Sequence, residues 1–293
     1  MWSGENWSCA YDTVFMSFWS IYRGSSPDWR NKWKEQSPRC GNLLGAAFDS
    51  LLATAQDSRT SQEALSQEFT SFRETFRDEL SRTNPAYFQR HGMVPASVCR
   101  ILSHIFGDSA KCEPHLDQLV ACNRCGISTH DPSSFTLLGS AQMLDGYLSE
   151  DVHGPFLPLQ TAMTRYVQRF SQEPRCSRCS ICSGPLVLES LSIPEMPWLW
   201  VELCDGLPML PSYRLVLGLQ EQHQVFNLQA IIYHGGNHFT ARFLDQSATW
   251  WRYDDTWRFG APRIDSVEDE ADLLKNDGRS AVFLLYRQAD PQD

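Results

Sequence analysis

Apolar residues recur with a helical period through much of the first hundred positions. Tyr11, Val14, Phe15, Phe18, Trp19 and Tyr22 fall at i, i+3, i+4, i+7 spacing, with Asp12, Thr13, Ser17 and Ser20 on the other face, which predicts a helix over 11–22. Similar patterns predict helices over 43–56 and 61–82, the latter opening Ser61-Gln62-Glu63-Ala64. Pro95 can begin a further helix through Ile105, because the first helical position has no use for an N–H. Trp29 and Trp33 stand four apart and read as local core, with a partner-binding stripe as the alternative.

The pattern changes near Cys112. From there to about Ser192 the chain is rich in Ser, Gly, Pro and Cys, and one helix signal stands out, Leu159–Phe170. Beyond Ser192, short β-branched and aromatic runs bounded by turn residues predict strands. These are Trp198–Leu203, Tyr213–Leu217, Val225–Tyr233, His238–Leu244, Thr249–Tyr253 and Ala281–Tyr286. A helical part, a cysteine-rich insert and an antiparallel sheet part make an α+β arrangement.

Composition narrows the class. The 293 residues are 42% hydrophobic and 12% aromatic, enough to bury a sizeable core. The net charge of −10 disfavours nucleic acid and acidic membrane surfaces as partners and suits a basic or mixed-charge protein. No run reaches the roughly 18 apolar residues of a spanning helix. The first residues, with Glu5 and Asp12 and no basic stretch before an apolar run, do not read as a secretory leader. The expectation is a reducing setting, cytoplasmic or nuclear, in which the ten cysteines serve as metal ligands, a nucleophile and core rather than as disulfides.

Three positions carry candidate thiol chemistry. Cys9 directly precedes the 11–22 helix, with Ser8 available as cap, and a helix N-terminus favours the thiolate. His238 follows Gly235-Gly236-Asn237 and opens a strand, so its imidazole can stand at the mouth of a hairpin. Asp254 ends the returning strand Trp250-Trp251-Arg252-Tyr253, where a carboxylate can hold the imidazole tautomer. His234 is the rival base, without the following aromatic or the strand context. Cys122-x-x-Cys125 and Cys176-x-x-Cys179 are two knuckles that together offer the four thiolates of a structural Zn²⁺ site; Cys179-x-x-Cys182 is the alternative second pair.

The His238-Phe239-Thr240-Ala241 segment and the later Trp250-x-x-Tyr253-Asp254-Asp255 strand resemble the histidine box of the ubiquitin-specific proteases. Ile193–Leu203 and Ala281–Arg287 resemble that family's later strands, and Val267-Glu268 opens an acidic, helix-like stretch between them. The resemblance covers most of the chain from Cys112 onward and the first twenty residues. It implies a papain-like cysteine protease in a single catalytic domain over 1–293: a helical thumb (1–111), a zinc-binding fingers insert (112–192) and an antiparallel β palm (193–293). It implies Cys9 as nucleophile, His238 as base, Asp254 as orienter, a shared orienting or water-binding role for Asp255, and Cys122, Cys125, Cys176 and Cys179 as zinc ligands. The reaction implied is hydrolysis after the C-terminal Gly-Gly of ubiquitin or a similar modifier, with ubiquitin conjugates as partners. A catalytically inactive ubiquitin-binding zinc module and an ovarian-tumour-type protease are the alternatives. The chain departs from the family's cysteine box: Gly4 stands where an Asn is usual, Asp12 where Asn is common, and Asn237 where Gly precedes the histidine. The oxyanion donor therefore stays open between Asn6 and backbone N–H groups.

Overall fold

The structure is a computed structural model that describes residues 9–36, 40–56, 61–89, 96–106, 115–134, 156–172, 178–192, 197–203, 209–219, 222–257 and 261–289. Its helices are α1 (Cys9–Gly24), α2 (Pro27–Gln36), α3 (Cys40–Gln56), α4 (Gln62–Thr83), α5 (Val98–Phe106) and α6 (Leu159–Gln172). Its strands are β1 (His115–Cys122), β2 (Ser128–Ser134), β3 (Leu157–Pro158), β4 (Leu186–Ser192), β5 (Trp198–Glu202), β6 (Met209–Leu210) and β7 (Arg214–Leu219). They continue with β8 (Gln222–Gly235), β9 (His238–Leu244), β10 (Trp250–Tyr253), β11 (Arg263–Ile264), β12 (Lys275–Asn276) and β13 (Arg279–Gln288). Among the described residues no helix is long and apolar enough to cross a membrane.

The chain divides into two compact units. The first holds 1–113, 229–268 and 275–282; the second holds 114–228, 269–274 and 283–293. The first unit thus joins the helical segment to a hairpin more than a hundred residues away in the chain, and both halves are needed to build its core.

In the first unit α1 is buried on every side. Its apolar stripe of Val14, Phe15 and Phe18 is covered, and so are Asp12, Thr13, Ser17 and Ser20 on the face the pattern marks as polar. Ser17 Oγ returns to the Thr13 carbonyl at 2.8 Å, and Asp12 meets Arg73 of α4. Phe15 packs edge-on against Phe76 of α4 with ring centroids 5.0 Å apart, and Phe18 likewise against Trp33 at 5.2 Å. Two helices start on capping chemistry. Ser61 Oγ accepts from the Ala64 N–H ahead of α4, and Ser26 Oγ accepts from the Trp29 N–H ahead of Pro27, the first residue of α2. The hydrophobic pattern did not predict α2, whose residues are mostly polar; only Trp29 and Trp33 are buried, as core.

The hairpin packed on α1 runs antiparallel through β8, β9, β10 and β11. Gly236 and Asn237 form its two-residue turn with φ of 61° and 58°, the left-handed pair that matches strand twist. Gly235 is required for a second reason, since a Cβ there would lie 3.1 Å from the Arg279 backbone. At the other end Asp245 accepts from the N–H groups of Ser247 and Thr249 and from Trp251 Nε1, which fixes the β9–β10 register.

The second unit contains a three-stranded antiparallel sheet in the order β2-β1-β4, with a register shift between Leu119 and Val120. No strand was predicted in this segment, where Ser128–Ser134 includes Pro132 and holds no Val, Ile, Leu or aromatic residue. The unit also holds β5 paired with β13, β7 paired with the start of β8, and α6 against β7. The acidic stretch after Val267 forms a single 3₁₀ turn, Ala271–Leu274, rather than a longer helix.

Candidate functional site

Cys9, His238, Asp254 and Asp255 converge in the first unit. Cys9 is the first residue of α1 and is buried. At that position the first-turn N–H groups have no intrahelical acceptor and can face a developing negative charge. The turn at Gly236-Asn237 sets His238 at the start of β9. The β9–β10 register pairs Tyr253 with Ala241, so the next residue, Asp254, comes level with Thr240, two residues from His238 on β9. His238 Nε2–H donates to Asp254 Oδ1 at 3.0 Å, and Asp255 Oδ1 lies 3.4 Å from the same nitrogen. The Cys9 thiol is within hydrogen-bonding reach of the imidazole. With Nε2 committed to carboxylates, Nδ1 is the nitrogen left for a nucleophile.

The electrostatics follow. Burial penalises the imidazolium, yet the Asp254 hydrogen bond, Cys9 and the Asp255 charge outweigh it and raise His238 to about 9. Burial likewise opposes the Asp254 charge, but His238 and the Thr256 Oγ1 (2.6 Å) and N–H (3.0 Å) hold its carboxyl well below the usual range. Asp255 behaves oppositely. Its burial, then the charge of Asp12, push it up to about 7 although His238 pulls the other way. Two adjacent carboxyls are thus driven apart in acidity by their surroundings.

His234 stays outside this group and stacks on Phe239 with centroids 4.5 Å apart. Asn6 lies outside the described residues. The pattern reading did not single out Arg73, whose guanidinium reaches Asp12 at 2.7 Å with both side chains at most 4% exposed. Asp12 reads as an ordinary polar-face residue and Arg73 as one of several charges on α4, so no sequence signal pairs them.

Four cysteines cluster in the second unit. The sulfurs of Cys122, Cys125, Cys179 and Cys182 lie within 4.8 Å of one another. Cys122 and Cys182 are 3.4 Å apart, Cys125 and Cys179 3.8 Å. A tetrahedral ion with metal–sulfur bonds of about 2.3 Å needs sulfurs about 3.8 Å apart, so the set can hold a metal ion. Cys176, expected as the fourth ligand, lies outside the described residues, and Cys182 takes the fourth corner among those described.

Both knuckles are built alike. Gly126 N–H donates to the Cys122 carbonyl and Ser183 N–H to the Cys179 carbonyl, each at 2.9 Å. Backbone N–H groups of Arg124, Ile181 and Gly184 aim at Cys122, Cys179 and Cys182 sulfurs, each at 3.4 Å. Such N–H groups push Cys122 down to about 6 and lower Cys179. The Gly184 N–H also lowers Cys182, but crowding by the other sulfurs carries it up to about 12. Gly184 has no room for a side chain: a Cβ would sit 2.6 Å from Arg124 Cβ and 3.0 Å from the Cys122 sulfur.

No family model matches the chain, and no curated protein does. Among solved structures it is similar to the SAGA DUB module of Ubp8, Sgf11, Sus1 and Sgf73 bound to monoubiquitin. The TM-score is 0.49 at 14% identity, over 97% of this chain and 68% of that one. A second SAGA DUB module structure gives a TM-score of 0.48 at 12% identity, over 99% of this chain and 69% of that one.

Proposed function

We propose that this protein is a thiol-dependent deubiquitinase that hydrolyses the peptide or isopeptide bond after the C-terminal Gly-Gly of ubiquitin or a ubiquitin-like modifier. The observation that carries the reading is the meeting of Cys9, at a helix N-terminus, with an imidazole held by Asp254. The modifier as substrate rests on the resemblance of the His238 and Trp250–Asp255 segments. The thumb, fingers and palm division belongs to the same proposal.

In the proposed cycle Cys9 transfers its proton to His238 and its thiolate attacks the carbonyl carbon after Gly-Gly. His238 then gives that proton to the departing amine as the C–N bond breaks, leaving a thioester on Cys9. Water attacks the thioester while His238 takes its proton, the C–S bond breaks, and the modifier leaves with a free carboxylate. Asp254 keeps the ring oriented and stabilises its charged form. Backbone N–H groups of the first turn of α1, with or without Asn6, face the oxyanion. Cys122, Cys125, Cys179 and Cys182 would hold a structural Zn²⁺, which closes the knuckles and takes no part in the chemistry.

The test is a panel of ubiquitin and ubiquitin-like probes with electrophilic C-termini, applied to the wild type and to Cys9→Ala. The expected result is one adduct, on Cys9, with at least one probe. Probe binding without any adduct would replace this reading with an inactive modifier-binding module.

A further inference from the structure

The Asp255 side chain is fully buried and neither of its oxygens has a hydrogen-bond donor. Asp12, on α1, faces it. Its Oδ1 accepts from Arg73 Nη1, while its Oδ2 is also buried with no donor. The two carboxyls lie within hydrogen-bonding reach of each other. Two carboxylates have no hydrogen to place between them, whereas a carboxylic acid beside a carboxylate does. One proton would satisfy the orphaned oxygens that face each other.

We propose that Asp12 and Asp255 share a single proton, and that this pair, anchored by Arg73, positions His238 and controls whether a second negative charge stands beside its imidazole. The proposal rests on the reading of Cys9 and His238 as a catalytic pair. The charged and titratable groups that act on Asp255 are Asp12 on α1, His238 on β9, and Tyr253 and Asp254 at the end of β10; behind Asp12 stands Arg73 of α4, itself paired with Glu74. Among the described residues Arg73 makes an ion pair with Asp12, and it also serves Glu74 at 2.9 Å. One cation so divided favours retention of a proton by the pair.

The sign of the effect follows from the geometry. Below about pH 7 Asp255 is a neutral acid that donates to Asp12 Oδ2. Above it the proton leaves, and a new charge appears 3.4 Å from His238 Nε2. That charge stabilises the imidazolium and with it the Cys9 thiolate.

The test follows alkylation of Cys9 by iodoacetamide in the full chain, read by mass spectrometry of the Cys9 peptide from about pH 5.5 to 9. It needs no modifier substrate, so it stands or falls separately from the choice of ubiquitin. The wild-type rate should rise through a step near pH 7 that Asp255→Asn abolishes, since the amide can donate to Asp12 but cannot ionise. Asp12→Asn should move the step down by about one pH unit or more, because it removes the charge that opposes ionisation. The proposal is overturned by a profile identical in all three proteins. An infrared measurement on the wild type provides a check without variants: a buried carboxylic-acid band should titrate near pH 7. Its absence below that pH would also overturn the shared proton. A Cys9 that reacts like an ordinary thiol while the band titrates would instead remove the catalytic reading.

Discussion

His238 keeps its proton to about pH 9 because the Asp254 hydrogen bond, Cys9 and the Asp255 charge together outweigh the cost of burial. A thiolate–imidazolium pair is lost when the imidazolium deprotonates, so kcat/KM on a ubiquitin substrate should fall above about pH 9. Cys9→Ala and His238→Ala should each abolish turnover, since residues that act as one unit fail together. Asp254→Asn should cost less than either and bring the alkaline limb to lower pH, as the ring loses a charged acceptor. Asn6→Ala should lower kcat by about tenfold or more with a smaller change in KM if its amide meets the oxyanion. An unchanged kcat assigns that role to the backbone of α1. The types and order of these residues were legible along the chain. Their perturbed acidity was not, because it comes from burial and from the mutual approach of His238, Cys9, Asp254 and Asp255, with Asp12 acting on Asp255, and these groups meet only in the fold.

At the scale of elements, α1, α3 and α4 and the β8–β10 hairpin follow from periodicity and turn chemistry. A stripe such as Val14, Phe15 and Phe18 admits few other arrangements, and Gly236-Asn237 suits a two-residue turn. α2 and the β1, β2 and β4 sheet were not legible. Polar residues outnumber apolar ones in α2 and β2, and the form of these elements depends on a cap at Ser26 and on cross-strand pairing. The packing role of α2 is testable. Trp33 is fully buried, packs on Phe18 and Tyr22, and donates Nε1–H to the Gly41 carbonyl at 3.2 Å. Trp33→Ala should destabilise the protein by about 3–5 kcal/mol, read from the shift in urea midpoint. A change under about 1 kcal/mol would mean that α2 contributes little to the core.

For the whole molecule, the two compact units divide the candidate chemistry between them: thiol, imidazole and carboxylates in one, four sulfurs in the other. Purified protein should therefore carry about one zinc per chain. Chelation should lower the thermal midpoint while the alkylation rate of Cys9 changes little. Elemental analysis of Cys182→Ser decides the fourth ligand. Loss of zinc assigns it to Cys182, and full retention returns it to Cys176.

The sequence alone determined the α+β character, the candidate thiol, histidine and aspartate, and the presence of paired knuckles. Those properties reside in residue type and short spacing, which the chain carries wherever it folds. Only the tertiary structure decided which cysteine stands fourth among the described residues, and that α1 is covered on its polar face as well as its apolar one. It alone brought Asp12, Arg73 and Asp255 together across 243 residues of chain. Burial and charge proximity are properties of the packed molecule, and no local pattern encodes them.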